Sequence, residues 1–401
     1  MSKNKNEVKL GYDDITIVPA KVSDIISRSQ CDCTDKYDML PIFVAPMDTV
    51  VDKFTYSKFI DNGIYPVIPR TESFEDRLDF IIRMLKGYYR GDGVFVSFSL
   101  YEAIELFVYE REKAYPPGLE DKWLLIRNYL ENDVYDCECR ICIDLANGHM
   151  SCLLETIKAI KTHHGNKVTI MSGNIANPKT YEEYEKAGCD FVRCNIGSGG
   201  CCTTASNVGC FYPTFSLLKE TWEIKQKIGG KCKIIADGGI KGFRDVQKAL
   251  LYADYVMIGG LFNKAIDSAG TPVYGKSYWN IFGKTVVNPF KTLFTYGRNV
   301  KYEDYEKVLE KIKKGKLDVW KETYGMSTKK AQSKMNPGAK LKTSEGLVKK
   351  QKVEHSLEQW VENEKDYLKS AMSYTNSRTL EEYQDSEWGH HPYPRSFHQC
   401  L

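Results

Sequence analysis

The sequence predicts an α/β fold: a (β/α)8 TIM barrel with inserted segments and a mobile active-site flap. Three observations predict it. Eight short apolar runs, each closed by Gly, Asn, Asp or Pro, recur up to Gly260. Helical patterns separate most of them. Polar residues stand where the runs end, as they do at the C-terminal face of a barrel. A doubly wound sheet shares the strand–helix alternation and stays open as the alternative.

In chain order the runs are Pro41–Pro46 (PIFVAP), Ile64–Ile68, Gly93–Phe98, Arg140–Leu145, Val168–Gly173, Asp190–Ile196, Lys233–Asp237 and Tyr255–Gly260. Their near-continuous apolar character suits parallel strands covered on both faces. The spacing predicts helices over Met150–His163, Asn177–Ala187 (Pro178 near its first turn), Pro213–Ile228 and Gly242–Tyr252. Three segments exceed a minimal barrel. Residues 99–138 hold a helical pattern from Tyr101 to Lys113 and then Pro116-Pro117. Residues 263–323 are aromatic and Lys-rich, with a helical pattern near Tyr302–Lys314. Residues 328–352 are Lys-rich with few apolar positions, which suits a mobile flap. One barrel domain is therefore expected over residues 1–375. A polar tail over 376–401 holds His390-His391, which find no partner ligands nearby.

The chain has 401 residues, 42% hydrophobic and 27% charged, a globular composition. With 56 basic and 53 acidic residues the net charge is +3, which gives no strong field for nucleic acid or a membrane surface. No apolar run is long enough to span a bilayer. The start, MSKNKNEVKL, lacks an apolar signal core. Thirteen cysteines, an odd number without a secretion signal, read as reduced thiols in a cytoplasmic protein.

One of those thiols stands apart. Asn195–Cys210 reads NIGSGGCCTTASNVGC. Glycines crowded after a strand let backbone N–H groups approach an anion, and a thiol beside such amides is a candidate nucleophile. The bland alternative is a plain loop with incidental cysteines. Two more glycine pairs follow adjacent strands: Asp237-Gly238-Gly239 and Gly259-Gly260. Loops after the seventh and eighth barrel strands often hold a phosphate, and an acidic residue ahead of them suits ribose hydroxyls. Together they favour a ribose 5′-phosphate site. Polar strand ends also include Asp48, Arg70, Ser97, Ser99, Asp144 and Asn174.

These strings resemble the inosine-monophosphate dehydrogenase and GMP reductase family over roughly residues 8–374. GYDDITIVPAK followed by SRS resembles its amino-terminal signature, and APMDTV its string after the first strand. IADGGI and MIGG are similar to its phosphate strands. GSGGCCTT resembles its catalytic-cysteine loop, usually GIGPGSxCTT. Aligned on CTT, Cys202 takes the nucleophile position and Cys201 is a bystander. Asn195 stands for a glycine, Ser198 for a proline, Gly200 for the serine that usually contacts the phosphate, and Ala205 for an arginine.

Four strings are closer to the reductase branch: IDLANGHM, SGNIA, YGMS (Tyr324–Ser327) and KTSEG (Lys342–Gly346). The dehydrogenase's flap Arg-Tyr pair is replaced by Leu341 and Lys342. The resemblance implies NADPH-dependent reductive deamination of GMP through a Cys202–purine C2 bond, with Thr204 and Glu345 as the proton donor pair. It places Gly200, Asp237, Gly238, Gly239, Gly259, Gly260, Met326, Ser327 and Lys342 on the nucleotide, and Asp48, Arg70, Asp144 and Asn174 on the cofactor side. It implies a monovalent cation such as K+ on carbonyls of Gly197, Gly199 and Cys202, and a homotetramer. For Asp144 a helix N-cap is the structural alternative. An NAD-dependent dehydrogenase, or a nucleotide-binding protein that has lost catalysis, remain the competing expectations.

Overall fold

The computed structural model describes residues 8–88, 93–108, 118–132, 138–270, 272–281, 284–287, 302–335, 338, 340–341, 343–384 and 397–399, with backbone alone over 272–287, 302–305 and 397–399. After a short strand β1 (Ile15–Ile17) come eight parallel strands. They are β2 (Ile42–Val44), β3 (Val67–Ile68), β4 (Phe95–Phe98), β5 (Cys139–Asp144), β6 (Val168–Ile175), β7 (Phe191–Cys194), β8 (Lys233–Asp237) and β9 (Tyr255–Ile258). Their order is β2-β9-β8-β7-β6-β5-β4-β3. The two ends meet just before β3: Tyr65 bridges Phe43, its N–H donating to Ile42 O at 3.0 Å while Val44 N–H donates to Tyr65 O at 2.8 Å. The eight apolar runs are thus the eight staves of a (β/α)8 barrel.

Side chains alternate along each stave, so two cores form. Ile42, Val44, Ile141, Ile143, Val192, Ile234 and Val256 face outward into the layer shared with the helices. Phe43, Tyr65, Phe95, Cys142, Met171, Ile235 and Met257 fill the barrel itself, with Phe191 and Tyr255 packed against them. Phe43 sits centrally, its ring 5.1–5.8 Å from those of Tyr65, Phe95, Phe191 and Tyr255. Above this aromatic floor the inward positions become charged, at Asp144, Arg193 and Asp237. The floor closes the barrel from below, and the charges mark its open end.

The crossover helices follow the sequence closely: Ser151–His164, Thr180–Ala187, Thr214–Ile228 and Phe243–Ala249. The second from the expected list starts late because Asn177-Pro178 forms a turn, with Thr180 N–H donating to Asn177 O at 3.0 Å. The helix expected from Tyr101 spans Leu100–Phe107, and Pro116-Pro117 lie outside the described residues.

The segment after the barrel departs from expectation. It carries an antiparallel sheet, β10 (Pro272–Ile281), β11 (Lys284–Val287), β12 (Leu317–Tyr324) and β13 (Val348–Lys352), in the order β11-β10-β12-β13. The expected helix is present as Tyr302–Lys313. The flap region holds a helix, Lys329–Met335, and then β13, which pairs with β12 from Trp320↔Lys352 to Tyr324↔Val348. The signal for β12 is the alternation in LDVWKETY, where Leu317, Val319, Lys321 and Thr323 are buried. A lysine at an inward position hides it. Lys321 Nζ donates to the carbonyls of Ala265, Ile266 and Ser268 at 2.7–3.1 Å and to Ser268 Oγ at 3.0 Å. The tail continues as a helix, Leu380–Gln384, with Leu380 and Tyr383 buried. A last strand, β14 (Phe397–Gln399), pairs with β1, while His390-His391 lie outside the described residues. Among the described residues no helix is long and apolar enough to cross a membrane.

Candidate active site

The loop after β7 is held by two backbone devices. Asn195 is buried at φ +155°, a value L-residues rarely adopt, and its Nδ2 donates to Asp237 O at 2.7 Å and to Ser198 Oγ. Gly197 turns at φ +88°, where a side chain would meet Ala205 Cβ at 2.9 Å. Cys202 N–H then donates to Gly199 O at 2.8 Å.

The segment 343–347 lies against this loop as a short antiparallel bridge, Cys202↔Gly346. Thr203 N–H donates to Glu345 O at 2.8 Å, and Leu347 N–H donates to Cys201 O at 2.9 Å. That pairing puts the Glu345 carboxylate over the first turn of the helix Thr204–Val208. The Cys202 thiol donates to Thr204 Oγ1 at 3.2 Å, and the Thr204 hydroxyl donates to Glu345 Oε2 at 2.7 Å. Thiol, hydroxyl and carboxylate, 143 positions apart in sequence from end to end (345 − 202), therefore form one continuous hydrogen-bonded line. Cys201 points elsewhere, its Sγ 3.9 Å from Thr323 O. Burial pushes its thiol up, with Lys349 opposing weakly, so Cys201 is held as a thiol.

A second cluster spans the barrel mouth. Arg193 is buried and donates from Nη1 to Asp144 Oδ1 at 2.7 Å and from Nε to Asp237 Oδ2 at 2.9 Å. Asn174 Nδ2 adds a bond to Asp237 Oδ2 at 2.6 Å, and Arg70 Nε lies 3.4 Å from Asp144 Oδ2. Burial pushes the Asp144 carboxyl up, but Arg193 and then Arg70 outweigh it and hold it below its ordinary value. The alternating-sign chain Arg70–Asp144–Arg193–Asp237 compensates four charges in a space where an isolated one would be prohibitive. Asp144 ends β5 in this chain of charges, so its N-cap alternative is not what the structure presents.

Asp48, after β2, accepts from Tyr324 Oη at 2.8 Å and from Lys334 Nζ at 2.5 Å, which joins the loop after β2 to the flap helix. Met326 and Ser327 follow β12 directly. A side chain on Gly346 would lie 3.1 Å from Ser327 Oγ, so the YGMS turn borders the Glu345 segment. The glycine pairs lie beside the loop after β7. Gly239 turns at φ +75°, and a side chain there would meet Ser198 Oγ at 2.8 Å. Gly259 adjoins Met47, and Gly260 opens the short helix Gly260–Asn263. Gly200 is exposed and brings no side chain. Of the expected cation ligands, the Gly199 carbonyl already accepts from Cys202 N–H. Among the described residues no group of three His, Cys, Asp or Glu is placed to hold a metal ion. Lys342 lies outside the described residues.

Arg193, Tyr324 and Lys334 escaped the sequence reading. For Arg193 the signal was present: a charged residue near the C-terminal end of an apolar run, at an inward position of the alternation. Buried polar atoms without a hydrogen-bond partner gather at the same rim, at Asp48 Oδ1, Thr49 Oγ1, Arg70 Nε, Thr71 Oγ1 and Thr203 Oγ1. Such atoms are costly unless matched, so they fit a polar ligand.

The IMP dehydrogenase / GMP reductase domain matches residues 129–388 of this chain. The GMP reductase of Bacillus licheniformis is 32% identical over 279 residues, covering 68% of this chain and 77% of that protein. The GMP reductase of Bacillus subtilis is 32% identical over 280 residues with the same coverage, and that of Staphylococcus aureus 31% over 285 residues, covering 68% and 77%.

Proposed function

The chain belongs to the IMP dehydrogenase / GMP reductase family and is a GMP reductase-like oxidoreductase; we propose that it catalyses the NADPH-dependent reductive deamination of GMP, or a closely related purine nucleotide, to IMP and ammonia. The observation that carries this reading is the line Cys202–Thr204–Glu345. The names of the relatives agree with it.

Cys202 attacks purine C2 and forms the carbon–sulfur bond. Its proton has a path through Thr204 to Glu345, since each neighbour is within hydrogen-bond distance. The protonated Glu345 then returns that proton through Thr204 to the 2-amino group. Ammonia is a poor leaving group until protonated, so this return lets the C2–N bond break and leaves the purine bound to sulfur. General acid catalysis of this kind contributes about 10²–10⁴-fold. NADPH, when bound, would supply hydride to C2. Cys202 would then leave C2 with the bonding pair as thiolate, releasing IMP, and regain its proton from solvent.

The remaining residues bind and orient. Asp237, held by Arg193 and Asn174, is placed to accept from the ribose hydroxyls. Gly239 and Gly259-Gly260, with Gly200, offer backbone amides to the phosphate, while Gly238, whose N–H donates to Met257 O at 3.3 Å, shapes the turn. Met326, Ser327 and Lys342 take the purine side. Arg70, Asp144, Asn174 and Asp48 would hold the nicotinamide cofactor, with Asp48 Oδ1 left without a hydrogen-bond partner among the described residues. Carbonyls of Gly197, Gly199 and Cys202 would hold a monovalent cation such as K+, and the enzyme would assemble as a homotetramer.

The test is a panel of purine mononucleotides, ribo and deoxy, offered with NADPH and with NAD. Oxidation of NADPH with GMP or a close analogue is expected. Reduction of NAD with IMP would establish the dehydrogenase instead, and tight binding of nucleotides without turnover would establish a binding protein.

A further inference from the structure

We propose that Ser198 is the side-chain donor to the substrate's 5′-phosphate in this chain. The identity of the anion rests on the function proposed above, but the assignment of Ser198 comes from the loop's own geometry.

The glycine turns after β8 and β9 present backbone to the ligand and bring no hydroxyl or cation of their own. Gly200, on the loop after β7, is exposed and brings no side chain, and Lys349 Nζ beside it donates to the Gly200 carbonyl. Ser198 is the hydroxyl that reaches them. Its Oγ lies 2.8 Å from where a side chain on Gly239 would begin, so it borders the turn directly. The hydroxyl is also oriented. Asn195 Nδ2 donates to Ser198 Oγ and is itself fixed by its bond to Asp237 O at 2.7 Å. With one lone pair occupied by that amide, the hydroxyl proton is left to donate, and among the described residues it has no acceptor. The Tyr12 ring packs against the same turn, its Cε2 3.6 Å from that point. A hydroxyl proton left without an acceptor beside a glycine turn suits an anion.

Asn195 thereby acquires a reason to hold its unfavourable φ. It is the positioning residue that presents Ser198 to the turn, and its amide ties the loops after β7 and β8 together.

The test compares wild type, Ser198→Ala and Ser198→Thr for GMP and guanosine binding by calorimetry and for kcat and KM. A hydrogen bond to a charged group predicts a loss of about tenfold or more in GMP affinity and a matching rise in KM for Ser198→Ala. Guanosine affinity should stay level, kcat should change far less than KM, and Ser198→Thr should recover most of the loss. An unchanged GMP affinity, or an equal loss for guanosine, would overturn the proposal. Protection of the protein by inorganic phosphate against thermal unfolding separates this proposal from the reading it rests on. Phosphate protection lost in Ser198→Ala, without turnover of any nucleotide, would keep Ser198 and overturn the reductase. Turnover of GMP with Ser198→Ala indistinguishable from wild type would do the reverse.

Discussion

Thr204 stands between a thiol and a carboxylate, and in the proposed reaction its hydroxyl relays the proton between them. Thr204→Val keeps the shape and removes the relay, so kcat with GMP should fall about 10²–10⁴-fold while GMP binding is little changed. Steady-state kinetics beside calorimetry would check this; an unchanged kcat would remove Thr204 from the chemistry. Asp144 makes a prediction of a different kind. Its carboxyl is held below the ordinary value by Arg193 and Arg70 against the opposing effect of burial. A carboxyl lowered by folding contributes stability above its unfolded value of about 3.9, and that stability is lost as pH falls through the lower folded value. Acid unfolding of wild type should therefore be steeper than that of Asp144→Asn, which should already be destabilised at neutral pH because Arg193 loses a partner. Equal acid profiles would contradict the role given to the pair. At this scale the sequence carried Cys202, Thr204 and Glu345 through a short motif and a distant KTSEG string. It marked Arg193 only as a charge near the end of an apolar run, because its importance depends on carboxylates of β5 and β8 that the strand order β8-β7-β6-β5 brings to it.

At the scale of elements, the loop after β7 works because the segment at Glu345–Leu347 pairs with it. Two backbone hydrogen bonds, Thr203 to Glu345 and Leu347 to Cys201, set the height of the carboxylate over Thr204. That segment leads into β13, which is anchored on β12, and β12 is anchored in turn by Lys321. Lys321→Met leaves the carbonyls of Ala265, Ile266 and Ser268 without their buried donor, each of which is costly. A loss of at least about 2 kcal/mol in unfolding free energy is expected, measured by denaturant titration. A variant as stable as wild type would show that the lysine is dispensable. The barrel staves were legible because both faces of a parallel strand are apolar. The added sheet was not, because an antiparallel strand announces itself by alternation, and a buried lysine broke the alternation in LDVWKETY.

At the scale of the molecule, the barrel divides into an aromatic floor and a charged mouth. Phe43 is the centre of the floor, and Phe43→Ala should cost about 3–5 kcal/mol through the cavity it leaves. The near-even charge of the chain is compatible with the proposed anionic substrate, because glycine amides would recognise it locally. The central claim is that Cys202 is the nucleophile of a GMP reductase, and its most direct test is simultaneous measurement of NADPH oxidation and ammonia release with GMP, in wild type and in Cys202→Ala. Equal amounts of oxidised cofactor and ammonia are predicted for wild type, and neither for Cys202→Ala even though it still binds GMP; turnover that survives in Cys202→Ala, or ammonia absent from a reaction that consumes NADPH, would contradict it.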